Sequence, residues 1–373
     1  MSKLLQPFKL GQMELANRIV MAPMTRARIN NKQDAADAAT ALYYAQRSSA
    51  GLIITEGSQI STQAQGFLFT PGIYNESQVK GWQATTKAVH DNNGTIFLQL
   101  WHVGRMSHTS LQPNGQAPVS SVAQRAENGT CFAFDDQGNP GVISVSKPKA
   151  LTNEEIQLIK LDFVQAAKNA IEAGFDGVEI HGANGYLIEQ FINATLNTRT
   201  DIYGGQSIED RTRLALEIVD DIALAIGAER TSIRLAPLGR FAGMTPFNQE
   251  QETWLHLAAE LSKRDLAYVH LSDQETIGAQ AIPEGFTEKF RAAYNGVLMI
   301  AGGFDKEKAE QYLQEGKVDL IAFGRPFISN PDLVERIKHN WPLTAADPAI
   351  FYGGDQQGYT DFPNYVAHTT TIS

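Results

Sequence analysis

A single cysteine, Cys131, occurs in 373 residues. One thiol closes no internal disulfide and builds no Cys-rich metal centre. It stands in a Gly- and Asp-rich stretch with no His or Lys beside it, so it reads as incidental. Basic runs are missing as well. The chain carries 31 basic and 41 acidic residues, a net charge of −10, which makes nucleic acid and anionic membrane poor partners. No apolar run approaches the roughly 20 residues that span a bilayer. The N-terminus, Met1-Ser-Lys-Leu-Leu-Gln-Pro7, has neither a long apolar core nor a cleavage signal. A cytoplasmic protein is therefore expected. No Pro/Ser-rich linker or charge block divides the chain. One domain over residues 1–373 is the expectation, although length alone suggests two or three. No G-x-G-x-x-G follows a candidate strand, which argues against a Rossmann-type dinucleotide site. The histidines, His90, His102, His108, His181, His256, His270, His339 and His368, show no ligand spacing such as H-E-x-x-H, so no metal is expected.

What is present is a repeated unit. Short apolar runs rich in Ile, Val and Leu recur at Ile19–Met24, Leu52–Glu56, Thr95–Leu100, Gly177–Ile180, Ser232–Ala236, Ala267–Leu271, Val297–Ala301 and Leu320–Phe323. Such runs suit strands buried on both faces. Helical patterns fall between them, at Ser77–His90, Thr152–Ala173, Ile208–Ile226, Gln249–Lys263, Thr287–Tyr294, Lys306–Glu315 and Pro331–His339. Thr152 and Glu155 have the spacing of a capping box. Repeated strand–helix alternation predicts an α/β fold, a (β/α)8 TIM barrel.

Two segments exceed the bare repeat. Residues 101–151, after the third strand, form a long excursion of the kind that serves as a lid. Within it, Asp135-Asp-Gln-Gly-Asn139 separates Thr130–Phe134 from Val142–Val145, a predicted hairpin. Residues 187–207 form the second excursion, with a short helix predicted over Leu187–Ile192.

Barrel enzymes place their chemistry at the C-terminal strand ends. Here those ends carry Thr25, Gly57, Gln99, His181, Arg234, Gly302 with Gly303, and Gly324 with Arg325. Each has a structural alternative: Thr25 as a helix cap, Gln99 as a turn partner, Arg234 as half of a buried ion pair. Their joint occurrence favours a site. The consecutive ends Ala301-Gly-Gly-Phe304 and Phe323-Gly-Arg-Pro326 can cradle a phosphate with backbone N–H groups and an Arg, or can be two tight turns. After the fourth strand comes His181-Gly-Ala-Asn184-Gly-Tyr186. His181 and Asn184 can donate to one substrate oxygen, and Tyr186 can give up a proton. The alternatives are a packed His and a surface Tyr. The three converge only through an irregular turn, for which Gly182 and Gly185 supply the freedom.

Together these residues resemble the Old Yellow Enzyme family of FMN-dependent ene-reductases, of the bacterial N-ethylmaleimide/pentaerythritol tetranitrate reductase type. The resemblance runs from Leu5 to about Pro363. It rests on Asn17-Arg-Ile-Val-Met-Ala-Pro-Met-Thr-Arg26, Gln99-Leu-Trp-His-Val-Gly-Arg105, His181-Gly-Ala-Asn-Gly-Tyr-Leu187, Arg199-Thr-Asp-Ile-Tyr-Gly-Gly205, Ala301-Gly-Gly303, Phe323-Gly-Arg-Pro326 and Tyr352-Gly-Gly-Asp-Gln-Gln-Gly-Tyr359. It implies non-covalent FMN, with NADPH or NADH as reductant. Backbone around Ala22, Pro23 and Met24 is implied along the flavin, and the Thr25 hydroxyl near its O4. Gly57 and Gln99 are implied at the pyrimidine part, Arg234 near N1 and O2, and Gly303, Gly324 and Arg325 at the phosphate. His181 and Asn184 would bind the oxygen of an electron-poor alkene or nitro compound, with Tyr186 as proton donor. Phe67, Trp101 and Tyr352 would wall the pocket, and Thr25 would also face substrate. Thr25 in place of Cys, together with Trp101, argues against the thermophilic-type branch. The stretch Gly204–Arg211 looks one residue longer than in relatives, and Thr276 and Ile277 stand where many relatives carry an aromatic.

The leading reading is an alkene reductase, monomeric or homodimeric. A second is a reductase of nitrate esters, nitroaromatics or quinones using the same pocket. A third is a non-flavin barrel, an isomerase or aldolase, for which Glu56 and Glu179 are candidate bases without an evident partner.

Overall fold

The computed structural model describes residues 2–366; His368 lies outside them. Eight parallel strands form a closed barrel. They are β1 (Ile19–Met21), β2 (Leu52–Gln59), β3 (Ile96–Trp101), β4 (Gly177–Gly182), β5 (Thr231–Leu235), β6 (Tyr268–Ser272), β7 (Leu298–Ala301) and β8 (Leu320–Phe323). Each pairs with its chain neighbours, and β8 closes on β1. Every residue of these strands is buried, as a parallel sheet covered on both faces requires.

The expected strands all form, Leu320–Phe323 with its expected limits and the others with shifted ones. β1 stops at Met21, before Pro23, which has no N–H to donate to a ladder. β2 runs three residues past Glu56, with its register slipping between Ile54 and Gly57. The buried Glu56 does not end it: the backbone N–H of Arg26 donates to its carboxyl at 3.2 Å, and burial pushes that carboxyl up to about 7.

Ten α-helices are present among the described residues: α1 (Ala38–Ala45), α2 (Glu76–His90), α3 (Asn153–Glu172), α4 (Leu187–Ile192), α5 (Ile208–Ile226), α6 (Glu250–Leu261), α7 (Phe286–Ala293), α8 (Lys306–Gln314), α9 (Arg325–Ser329) and α10 (Leu333–His339). The Thr152–Glu155 capping box forms, and Asn75 with Gln78 makes a second one. Along α5, Arg211, Leu214, Ala215, Ile218, Val219 and Ile222 are buried at helical spacing, which lays one stripe on the barrel. Helices α1 and α9 were not anticipated. Nor was the hairpin Phe8–Leu10/Met13–Leu15, whose Leu10 and Leu15 join Val20, Leu52, Phe97, Tyr268, Met299 and Leu320 in the barrel interior.

The excursion after β3 carries the predicted hairpin, Thr130–Phe134 against Pro140–Ser144. It has a small core of its own. Cys131, Ala133, Val145 and Leu111 pack with Trp101 and Tyr186, so this segment leans on two of the candidate site residues. Cys131 is buried there, and burial pushes its thiol up to about 11, which keeps it unreactive.

Candidate active site

The turn after β4 is irregular in a specific way. His181 and Gly182 are still strand, paired with Arg234 and Leu235. Asn184 and Gly185 then take left-handed conformations, with φ of 58° and 70°. Gly185 thus supplies the expected freedom, but Gly182 does not. Its role is close approach, since a Cβ there would lie 2.9 Å from the Arg234 carbonyl oxygen. The turn is pinned on both sides. The Gly185 N–H donates to Glu189 Oε2 at 2.8 Å, and Gln190 Nε2 donates to the Gly185 carbonyl at 2.8 Å. Tyr186 precedes α4 with its ring edge-on to both His181 and Trp101, centroids 5.0 Å from each. Phe67 stacks on Trp101 at 5.6 Å.

Hydrogen bonding fixes what each polar group offers. The Ala183 N–H donates to His181 Nδ1 at 3.3 Å. Burial, with Arg234 and His270 adding to it, pushes the His181 pKa well below its ordinary value. The ring is therefore neutral, with its proton on Nε2. The Asn184 Oδ1 accepts from Ser272 Oγ at 3.3 Å and from Gln274 Nε2 at 3.1 Å, which leaves its Nδ2 hydrogens to donate elsewhere. Burial raises the Tyr186 hydroxyl above its ordinary pKa, Tyr352 adds to this, and Arg234 opposes it. Tyr186 therefore keeps its proton at neutral pH.

Beneath this group lies a buried polar cluster. Gln99 Nε2 donates to Glu179 Oε1 at 2.8 Å, and His270 Nδ1 to Glu179 Oε2 at 2.8 Å. Burial alone would raise the Glu179 carboxyl, but His270, Arg234 and Gln99 outweigh it, and the group is a carboxylate. Burial lowers His270 against the pull of Glu179. Arg234 is lowered by burial and supported by Glu179, and its Nε has no partner.

A cavity of about 910 Å³ opens at the C-terminal end of the barrel. The sequence-predicted residues Ala22, Pro23, Met24, Thr25, Asn184, Tyr186, Arg234, Gly303, Gly324, Arg325 and Tyr352 line it. Gly57, Phe67, Gln99, Trp101 and His181 do not. They are packed together beside it: Gly57 is in register with Gln99, and a Cβ at Gly57 would lie 2.7 Å from the Trp101 ring. The cavity is asymmetric. Ala22, Ala301 and Ala322 leave space on the β1, β7 and β8 side. Gln99, Glu179, Arg234 and His270 fill β3 to β6 with polar groups.

These features fit FMN. The partnerless Nε of a buried Arg on the cavity wall calls for a polar ligand atom. Gly303 has φ 69°, and a Cβ there would lie 2.7 Å from Thr276 Cγ2, so only glycine brings the backbone to this edge. Arg325 borders the same end with an exposed side chain, suited to a phosphate.

The Ser272, Gln274, Glu189 and Glu179–His270 contributions were not read from the sequence. Ser272, Asp273 and Gln274 form a polar end to β6 like the other strand ends, and that signal was available. Glu179 has the partners that sequence alone did not reveal.

A family model described as the NADH:flavin oxidoreductase / NADH oxidase family matches residues 3–344. The 12-oxophytodienoate reductase 1 of Oryza sativa subsp. japonica is 43% identical over 367 residues, spanning 96% of this chain and 92% of its own. The structure of morphinone reductase in complex with tetrahydroNAD superimposes with a TM-score of 0.93 at 44% identity, covering 98% of both chains. The Old Yellow Enzyme homologue from Zymomonas mobilis gives a TM-score of 0.91 at 36% identity, covering 97% of this chain and 100% of that one.

Proposed function

The chain belongs to the NADH:flavin oxidoreductase / NADH oxidase family, that of the Old Yellow Enzyme relatives, and from this we propose that it reduces activated C=C bonds of α,β-unsaturated carbonyl compounds, nitroalkenes and maleimides. It is an oxidoreductase that uses FMN and a nicotinamide nucleotide. The observation that carries the proposal is that one turn brings Asn184, with its Nδ2 hydrogens unengaged, and a protonated Tyr186 to the cavity wall, with the neutral His181 ring packed edge-on to Tyr186 just behind it. Two of its relatives are named for the reduction of an oxo compound, 12-oxophytodienoate and morphinone.

FMN, when bound, would supply the hydride, with NADH or NADPH as its reductant. The protein does the rest. Gly303, Gly324 and Arg325 would hold the phosphate, and Ala22 to Thr25 and Arg234 the ring, with Gly57 and Gln99 beside the cavity at the pyrimidine end. His181 and Asn184 grip the activating oxygen and take up the charge that builds there, each worth about 2.7–4 kcal/mol by analogy with oxyanion donors. Tyr186 protonates the α-carbon, which is basic enough to accept from a phenol. Tyr352 walls the substrate space, and the stacked Phe67 and Trp101 back Tyr186 beside it. Reductant and oxidant take turns in one cavity, and the barrel with its 101–151 excursion acts as a single FMN-binding domain.

The test is anaerobic. NADPH is added while the visible spectrum is followed, then 2-cyclohexen-1-one. Bleaching followed by return of the oxidised band is expected. Bleaching without return, together with return on adding a nitroaromatic or a quinone, would replace the alkene by those oxidants.

A further inference from the structure

We propose that Gln274 is a positioning residue that fixes the polarity of the substrate site by locking the Asn184 amide with its NH2 toward the cavity. The inference rests on the role given to Asn184 above and deepens it.

The argument is one of donors and acceptors alone. Gln274 is buried at the end of β6. The backbone N–H groups of Arg240 and Phe241 meet one end of its amide, at 2.7 and 3.0 Å. A backbone N–H only donates, so that end is the carbonyl oxygen. The other end is then the NH2, and it faces Asn184 at 3.1 Å. The Asn184 atom that meets it must accept, so it is Oδ1, and Nδ2 is left for the cavity that Asn184 lines. Ser272 Oγ, at 3.3 Å from the same Oδ1, adapts to either orientation because a hydroxyl both donates and accepts. Gln274 alone sets the direction.

The fit around this amide is close. A Cβ at Gly239 would come within 2.6 Å of the Gln274 amide atoms, so the segment leading to Arg240 and Phe241 is pressed against it. Phe241 lines the same cavity. One side chain thus ties the loops after β5 and β6 to the turn after β4. With Nδ2 inward, Asn184 presents a donor to the cavity, which together with the His181 donor of the proposed function would match a carbonyl or nitro oxygen. With the amide reversed they would present a donor and an acceptor, matched to an alcohol.

Gln274→Glu tests this in the FMN-loaded enzyme. The new carboxylate still accepts from Arg240 and Phe241, but its second oxygen repels Oδ1 and turns the Asn184 amide around. Cyclohexanone and cyclohexanol, which are not alkenes, serve as binding probes through perturbation of the oxidised flavin spectrum. The ratio of ketone to alcohol affinity is expected to fall about tenfold in Gln274→Glu, the scale of exchanging one hydrogen bond for a repulsion. In the background of Asn184→Ala the same substitution should leave the ratio unmoved. A general loosening of the site would weaken both probes alike and leave the ratio where it was, which overturns the proposal. Gln274→Met serves if the glutamate variant does not fold. It releases the amide without repelling it, and the ratio should fall by a few fold; an unchanged ratio again overturns the proposal. If neither His181→Ala nor Asn184→Ala weakens ketone binding in the parent, the substrate-site reading itself fails, and this inference with it.

Discussion

Glu179 and His270 stand on strands β4 and β6 and meet at 2.8 Å with both side chains shut off from solvent. The same carboxylate holds Gln99 through its other oxygen. It is also the acidic counterpart of Arg234, a buried cation on the cavity wall. The polar floor of the site is therefore balanced: one guanidinium, one carboxylate, and an imidazole kept neutral by burial.

Replacing Glu179 by Gln removes the negative charge and leaves Arg234 uncompensated. A reduced, anionic flavin would then be favoured. The two-electron potential of the bound FMN is expected to rise by tens of millivolts, where about 30 mV corresponds to 1.4 kcal/mol. Potentiometric titration of parent and Glu179→Gln checks this. An unchanged potential would show that the field of the pair does not reach the ring.

Tyr186→Phe separates the two half-reactions. The phenol is held edge-on to His181 and Trp101, so the ring stays in place when the hydroxyl is lost. Alkene reduction should slow by about 10²–10⁴, the usual worth of a general acid. Flavin reduction by NADPH should stay near the parent rate in stopped-flow traces. Nitro compounds, which need no carbon protonated, should lose less. Equal slowing of both half-reactions would remove Tyr186 from its role.

The barrel was legible because its evidence is local. Runs such as Leu298–Ala301 and Leu320–Phe323 are short and apolar throughout, and their regular recurrence between helical patterns suits covered parallel strands. Helix α5 announced itself by spacing. Helix α1 did not: Ala38–Ala45 reads Ala-Ala-Thr-Ala-Leu-Tyr-Tyr-Ala, apolar nearly all round, with no stripe to recognise. The site divides the same way. Residues at strand ends, such as Thr25, His181 and Arg234, could be marked one by one. What Glu179 and Gln274 do depends on partners 80 to 91 and 33 to 90 positions away, and no local pattern carries that. Gly182 was misassigned for a related reason. Its need for a bare Cα comes from a carbonyl on the adjacent strand, not from its own backbone angles.

Arg28 holds the segment that brings Tyr352 to the cavity. Its guanidinium donates to the carbonyls of Ile350, Phe351, Asp355 and Gln357 at 3.0–3.2 Å. It also lies 4.8 Å from the Tyr359 ring centre. A Lys cannot reproduce this fork. Arg28→Lys should therefore speed limited proteolysis within residues 348–360 and raise the KM for alkene several-fold, at a cost of about 1–3 kcal/mol in local order. Proteolysis at the parent rate would show that the strap is held by other contacts.

Glu189 gives the protein a pH-dependent stability. Its carboxyl accepts the Gly185 N–H from inside the fold. Burial pushes it up to about 8, with Glu250 adding to the rise and Gly185 and Arg240 opposing it. In the unfolded chain a Glu titrates near pH 4.3. Below that value both states hold the proton, and the stability of the protonated contact is fully present. As pH rises toward 8 the unfolded chain releases its proton while the folded one keeps it, so stability falls. Above about pH 8 the folded group ionises too, and no more is lost. Glu189→Gln keeps an acceptor for Gly185 but has nothing to titrate. The melting temperature of the variant should therefore match the parent at about pH 4 and exceed it increasingly toward pH 8, then hold a constant gap. The advantage grows by at most about 1.4 kcal/mol per pH unit. A gap independent of pH between 5 and 9 would mean that Glu189 is already ionised in the fold, and that the turn carrying Asn184 and Tyr186 is held by a carboxylate.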